Sequence, residues 1–320
     1  MLRPGFIPAF VLCAFAAAQQ PSAPPGADLV TVGCSFVSHD GAPVRNLTRA
    51  EIALADNGQA RQIGNLWSES DLPLTLALIA DVSEDQAETF ARHREAVTDF
   101  LSHSLGPRDR GKLIQLGRQA WLLSDFTGGN PKAVEAAVEK IGTHQGKQTN
   151  VVGPTCRNRR APHSCGPTAL WHSLYYTAVA LKPLTGRKAV VILSEGVDTG
   201  SDVTLEDAVE AAQTAGVAVY AVKYSEPTRL ATVKSSVIEK FSKGLDRLAH
   251  ESGGFTLAGS ERKDAEDFSR IESALRGTWV VGFTPPPDAR NGRFHKLEVK
   301  TPRSNLLVRC PAGYWAQTGG

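Results

Sequence analysis

The amino-acid sequence predicts an α/β protein with a doubly wound, mainly parallel sheet and a small flanking all-β element. Two observations predict the central sheet. Continuous apolar runs occur in the middle of the chain, and segments with helical periodicity separate them. A third observation, short alternating apolar patterns near both ends, predicts that the flanking element is built from the N- and C-terminal segments together.

The first segment has the composition of a secretory signal. Arg3 precedes an apolar stretch at 6–15, and small residues follow at 16–18. This stretch is too short to cross a hydrocarbon core of about 30 Å as a helix. We expect a signal peptide at 1–18, a linker at 19–26 and export to the periplasm, the cell surface or the medium. The alternative is an N-terminal anchor helix; no later segment is apolar enough to form a transmembrane span.

Composition narrows the class of protein. The chain has 320 residues, 42% of them hydrophobic, with 35 Lys+Arg against 33 Asp+Glu. This length allows about two domains, each with a full hydrophobic core. A charge balance this even, without a basic run, argues against a nucleic-acid partner.

The segment at 27–68 has the pattern of antiparallel strands. Apolar side chains alternate with polar or small ones from Val30 to Phe36, which places Cys34 on the buried face. Asn57-Gly58 separates two short strand-like runs and suits a type I′ hairpin turn.

Strands and helices alternate along 69–276. Fully apolar runs at 74–80, 189–193 and 217–222 predict strands buried on both faces, and 112–117 predicts a further short strand. Helical signals lie between them, at 90–101, from Asn130-Pro131, at 169–181, from Thr204 and at 237–252. The remaining segment, 277–316, returns to strand patterns at 279–283, 294–299 and 306–310, which we expect to pack with 27–68.

Four cysteines remain after the predicted signal. In an exported chain an even number indicates two disulfides, with three pairings open. Cys156 and Cys165 lie in one polar loop and form the natural local pair, which leaves Cys34 with Cys310. Cys156, His163, Cys165 and His172 match no structural zinc spacing, so a disulfide is favoured there.

Polar clusters follow two apolar strands and precede one helix. Asp81 to Asp85 follows the first strand, Thr168 opens a helix, and 194–198 follows a second strand. Ligands of open parallel sheets bind at the carboxyl ends of strands. The clusters offer carboxylates and hydroxyls, the hard oxygen donors that Mg²⁺, Ca²⁺ and Mn²⁺ prefer. Ordinary solvated loops and helix caps are the alternative.

These clusters resemble, in order, the metal-ion-dependent adhesion site of von Willebrand factor type A domains. The sequences concerned are Asp81-x-Ser83-x-Asp85, Gly166-Pro167-Thr168-Ala169-Leu170 and 191–198. Flanking motifs resemble the VWFA-related Acidobacterial group, so that the likeness covers most of 27–316. Those motifs are Asp40-Gly41-Ala42-Pro43-Val44, Asp56-Asn57-Gly58-Gln59, 281–285, 292–297 and Gly313-Tyr314-Trp315.

The resemblance implies roles for individual residues. Ser83 and Thr168 would coordinate a cation through their hydroxyls, and Asp81 would act directly or through a neighbour. Asp85 stands where the family usually has serine, and Glu195 where it usually has aspartate. The three carboxylates Asp81, Asp85 and Glu195 would neutralise a divalent cation, which would then attract a partner carboxylate less strongly. Three outcomes are therefore open. The site binds Mg²⁺ or Ca²⁺ and recruits a partner carboxylate, or it binds metal only for structure, or it has lost the metal.

We therefore expect an exported protein-binding or adhesion protein, not an enzyme. The expected partner is an unidentified protein, engaged through a carboxylate, with Asp198, Arg157, Arg159 and Arg160 on the rim of the site. One alternative is a metal-dependent hydrolase that uses Asp81, Asp85 and Glu195. The other is a structural envelope protein without metal.

Overall fold

The computed structural model describes residues 29–83, 86–142, 151–153, 168–224 and 235–316. Several predictions lie outside these ranges: the signal peptide at 1–18, the linker at 19–26, Asp85, and the Cys156–Cys165 loop with Arg157, Arg159 and Arg160. The described strands are β1 Val30–Ser38, β2 Ala53–Asp56, β3 Gln59–Arg61, β4 Ile63–Ser68, β5 Leu74–Asp81, β6 Arg110–Leu116, β7 Ala120–Thr127, β8 Arg187–Leu193, β9 Ala218–Lys223, β10 Phe255–Ala258, β11 Thr278–Phe283, β12 Phe294–Lys300, β13 Leu306–Arg309 and β14 Gly313–Trp315. The α-helices are α1 Gln86–Ser104, α2 Pro131–Val138, α3 Leu170–Leu181, α4 Leu205–Ala215, α5 Ser235–Glu251 and α6 Asp264–Arg276.

A six-stranded sheet forms the centre, in the order β10–β9–β8–β5–β6–β7. Every pair in it is parallel except β6–β7, which is antiparallel. The prediction of a mainly parallel sheet flanked by helices is thus confirmed. Strands β7 and β10, at the two edges of this sheet, were not predicted, because each is only partly buried and lacks a continuous apolar run.

Two hydrophobic cores cover the two faces of the central sheet. Helices α1, α2 and α6 pack on one face against Leu76, Leu78 and Ala80 of β5. Helices α3, α4 and α5 pack on the other face, against Ala77 and Ile79 of the same strand. Successive side chains of a strand point to opposite faces, so a strand covered on both sides must be apolar throughout.

Strands from both ends of the chain form two further sheets, ordered β13–β1–β11–β4 and β14–β12–β2–β3. They share a third core that includes Phe36, Leu54, Val281 and Leu297. The sequence predicts one small β element, whereas the structure contains two four-stranded antiparallel sheets. Strand β4 supplies an edge of the first and β14 an edge of the second.

A disulfide joins the two ends of the described chain. Cys34 in β1 is bonded to Cys310, which directly follows β13, with the two Cα atoms 4.3 Å apart. Strands β1 and β13 are antiparallel, with Ser35 opposite Arg309, so the cysteines face each other across the pair. The predicted Cys34–Cys310 bond is confirmed.

Local signals predicted several element ends correctly. Asn57 and Gly58 both have positive φ, at 49° and 80°, as a type I′ turn requires. The Asn130 side chain accepts a hydrogen bond from the Ala133 N–H at the start of α2. Thr204 opens α4 with a capping box. Helix α6 was not predicted, although its buried Phe268, Ile271 and Leu275 have helical spacing.

Strands β5 and β8 are neighbours from which the chain leaves toward opposite faces of the sheet. After β5 the chain enters α1, on one face, and after β8 it enters α4, on the other. Their carboxyl ends therefore lie at the switch point of the sheet, where open α/β proteins have a ligand crevice.

None of the helices in the described ranges has both the length and the apolar character needed to cross a bilayer.

Candidate functional site

The predicted site residues of the first and third clusters meet at this switch point. Asp81 is the last residue of β5, and Ser194 directly follows β8. The two strands pair in parallel, with Ala80 opposite Leu193, so both polar residues leave the sheet at the same edge. The apolar strands thus end together in a cluster of oxygen atoms.

Four side chains form a continuous chain of hydrogen bonds at this edge. The Thr168 Oγ1 donates to Ser83 Oγ over 2.8 Å, and Ser83 Oγ donates to Asp81 Oδ1 over 2.5 Å. The Ser194 hydroxyl donates to the other oxygen, Asp81 Oδ2, over 2.7 Å. All four residues are buried, at most 5% exposed. We call Asp81, Ser83, Thr168 and Ser194 the hydroxyl–carboxylate cluster.

Backbone contacts hold Thr168 in this cluster. Its carbonyl accepts hydrogen bonds from the N–H groups of Thr199 and Gly200, over 3.0 and 2.8 Å. The next residue, Ala169, donates its N–H to the Gly117 carbonyl at the end of β6, over 3.0 Å. Thr168 is therefore positioned by segments that follow β8 and β6, far from it in sequence.

Asp198 caps the N-terminus of α3. Its Oδ1 accepts from the Leu170 N–H over 2.7 Å and from the Trp171 N–H over 3.3 Å, and Ser201 Oγ donates to the same oxygen over 2.5 Å. Burial raises the pKa of the Asp198 carboxyl, against the lowering effect of these hydrogen bonds. The assignment of Asp198 to a partner-binding rim stays a prediction; in the structure its carboxylate binds this helix.

The loop at 198–202 makes a further set of contacts with the start of α3. The Ser201 hydroxyl accepts from the His172 N–H over 2.9 Å, and the His172 imidazole is paired with Asp202. His172 is buried, and its ring lies against Tyr176. The loop after β8 therefore fixes the first turn of α3, and with it the position of Thr168.

Glu195 lies beside Ser194 and is 9% exposed. Within the described ranges, no group of three or more His, Cys, Asp or Glu side chains has the arrangement of a metal site. Asp85, one of the predicted ligands, lies outside those ranges. The structure thus brings Asp81, Ser83 and Thr168 together, and the metal assignments remain predictions.

Sequence reasoning gave no role to Ser194, Thr199 and Ser201. Ser194 had a signal, since it directly follows a fully apolar strand. Thr199 and Ser201 are small polar residues in a loop before a helix, a pattern too common to mark a function. Their partners are about 30 residues away in sequence, and only the folded chain brings them together.

No protein-family model matches the chain, and no curated protein sequence matches it. The chain is similar to solved structures at low identity. Proximal thread matrix protein 1 from the mussel byssus has a TM-score of 0.47 and 14% identity, over 69% of this chain and 51% of that one. The chain spans between 50% and 62% of the length of the first three similar structures.

Other similar structures include a von Willebrand factor type A protein from Catenulispora acidiphila. It has a TM-score of 0.42 and 10% identity, over 91% of this chain and 74% of that one. BatB from Bacteroides thetaiotaomicron has a TM-score of 0.41 and 12% identity, over 64% of this chain and 99% of that one. The fold class stated above rests on the strand order and cores of this chain itself.

Proposed function

We propose that this chain is an exported protein-binding protein whose binding site is the carboxyl edge of β5 and β8. The observation that carries the proposal is the hydroxyl–carboxylate cluster at the switch point of the sheet. In this proposal the cluster would hold a divalent cation, which would provide a positive charge for a carboxylate of a partner protein.

The residues present fit a hard cation. Asp81, Ser83 and Thr168 offer only oxygen donors, and the Ser83 Oγ lies 2.5 Å from an Asp81 oxygen and 2.8 Å from the Thr168 Oγ1. Mg²⁺ and Ca²⁺ take such ligands, whereas zinc prefers nitrogen and sulfur. A bound cation would supply positive charge to a partner carboxylate. The protein's own part is to hold the three side chains in place, through β5 and through the hydrogen bonds that Asp198 and Ser201 make with the start of α3.

The chemistry of the cluster supports binding rather than catalysis. Both carboxylate oxygens of Asp81 accept hydrogen bonds from serine hydroxyls. These bonds occupy both oxygens of the one carboxylate in the cluster, and hydroxyls are poor general bases at neutral pH. We therefore prefer a protein ligand to the alternative of a hydrolysed substrate.

Export is supported by the Cys34–Cys310 disulfide. Structural disulfides persist in oxidising compartments such as the periplasm or the extracellular medium. Together with the predicted signal at 1–18, this supports a proposed partner in the cell envelope or outside the cell.

Metal binding is tested by calorimetric titration of the chain from residue 27 onward with Mg²⁺, Ca²⁺ and Mn²⁺. We expect heat of binding in the wild type and its loss in Ser83→Ala and Thr168→Ala. Thr214→Ala is the matched control, because its exposed hydroxyl bonds only to backbone carbonyls of its own helix. If the wild type gives no heat at millimolar metal, the cation part of the proposal fails.

Partner binding is tested by capture from envelope extract, with and without EDTA. Recovery of a protein that both EDTA and Ser83→Ala abolish would support the proposal. Capture that neither changes would move the binding site elsewhere on the molecule. Metal-dependent turnover in a hydrolase screen would instead favour the enzyme.

A further inference from the structure

A second cluster of ionisable side chains lies on the α1 side of the central sheet. His93 of α1 donates from Nδ1 to Asp264 Oδ2 at the start of α6, over 2.6 Å. The Tyr224 hydroxyl, just beyond β9, donates to the other oxygen of the same carboxylate over 2.8 Å. All three residues are at most 5% exposed. None of them belongs to the hydroxyl–carboxylate cluster.

The imidazole of His93 is held in one orientation. Its ring stacks on the Tyr224 ring, with the centroids 3.7 Å apart and the planes inclined by 22°. Its Nδ1–H is engaged by Asp264, so the other nitrogen, Nε2, is the one left for a ligand.

This cluster borders an open pocket of about 320 Å³. His93 and Tyr224 line it from α1 and from the end of β9, and Arg92, Ser260, Glu261 and Arg262 complete much of the wall. Gly259 follows β10 directly, so the pocket lies at the carboxyl edge of β9 and β10. Ligands of open α/β sheets bind at this edge.

The charges around the pocket favour an anion. Two arginines and one glutamate line it, and Arg92 Nε is paired with Glu261 over 3.1 Å. Arg262 is exposed, and it has no hydrogen-bond or ion-pair partner in the described part of the chain. The charged side chains that line the pocket, two arginines and one glutamate, give its wall a net positive charge.

We propose that this pocket, the His93 pocket, is a binding site for a small oxyanion, a carboxylate or phosphate group. The guanidinium of Arg262 is its donor, and the His93 ring lies beside it in the wall of the pocket. Asp264 and Tyr224 are positioning residues that orient the imidazole. The proposal is independent of the function proposed above, because the two sites share no residue.

The test is titration of the chain with sodium acetate and with sodium phosphate in metal-free buffer. Binding is measured by calorimetry, and the ¹⁵N signal of the His93 side chain identifies the site. We expect Arg262→Gln to lower the affinity about tenfold, as the loss of one charge-assisted hydrogen bond does. His93→Phe, which keeps a ring against Tyr224 but removes the polar edge of the imidazole, should also lower it. Arg293→Gln, an exposed arginine of the loop before β12, is the matched control.

Each outcome decides the proposal. Binding of either anion that shifts the His93 signal and is weakened by Arg262→Gln supports it, and the preferred anion names the ligand class. The proposal is overturned if neither anion binds at up to about 50 mM, a concentration well above a weak millimolar Kd. Binding that both variants leave unchanged also overturns it. Because Arg262 is exposed, Arg262→Gln decides the matter even if His93→Phe does not fold.

Discussion

Opening the Cys34–Cys310 disulfide should lower the free energy of unfolding by several kcal/mol. The bond joins residues 276 apart in sequence, and Cys34 is fully buried in the core shared by the two antiparallel sheets. In the unfolded chain the bond closes a loop that includes all the residues that form the central sheet of the folded protein. Reduction releases that constraint and so stabilises the unfolded state relative to the folded one.

The magnitude follows from the loop length. The chain-entropy relation for a loop of this length gives about 5–6 kcal/mol at 25 °C, whereas removal of native disulfides usually costs about 2–5 kcal/mol. We expect about 4 kcal/mol. Reduction should also make the free energy of unfolding fall more steeply with urea concentration, because the reduced unfolded chain exposes more surface.

The assay is urea unfolding of the chain from residue 27 onward, followed by tryptophan fluorescence. A Cys156→Ala, Cys165→Ala background leaves Cys34 and Cys310 as its only cysteines. Oxidised and reduced forms are compared, and a further variant with alanine at Cys34 and Cys310 serves as control, because dithiothreitol should not affect it. Equal unfolding free energies for the oxidised and reduced forms would refute the reasoning.

Three further predictions concern a close glycine contact, the cap of α3 and a partly buried acid. Gly254→Ala should lower the free energy of unfolding in urea by more than about 2 kcal/mol, because the added Cβ would lie 1.9 Å from the Val219 carbonyl oxygen. Gly117→Ala is the control: its added Cβ meets open space, so the free energy of unfolding should change by less than about 0.5 kcal/mol. Asp198→Ala should cost about 1–2 kcal/mol by removing the acceptor that caps α3, and Asp198→Asn, which keeps an acceptor, should cost less in the same assay. Burial raises the pKa of Glu69, so the folded state holds this proton more tightly than the unfolded state and stability falls as the pH rises through the folded pKa. Thermal melts should therefore show Glu69→Gln more stable than the wild type near pH 8 and no longer so near pH 4; an equal difference at both values would contradict this.

Short-range patterns predicted much of the fold. The apolar run at 74–80 predicted a strand buried on both faces. The prediction holds because helices cover both faces of β5, so every position of the strand is buried. Asn57-Gly58 predicted the hairpin because few residues adopt positive φ at low cost. Strands β7 and β10 were not predicted because each is only partly buried and has no continuous apolar run.

The candidate site divides in the same way. The sequence by itself determined that Asp81 and Ser83 lie at the end of a buried strand, since a polar residue must follow where an apolar strand leaves the core. It also determined that Cys34 lies on a buried face, since the alternation around it has a period of two. Only the tertiary structure decided that Thr168 meets Ser83, 85 residues away, and that Asp198 caps the helix that follows Thr168. It also decided that Cys34 faces Cys310 across two paired strands. The physical reason is that such contacts depend on strand order and register, which are set by packing of the whole chain rather than by any local run of residues.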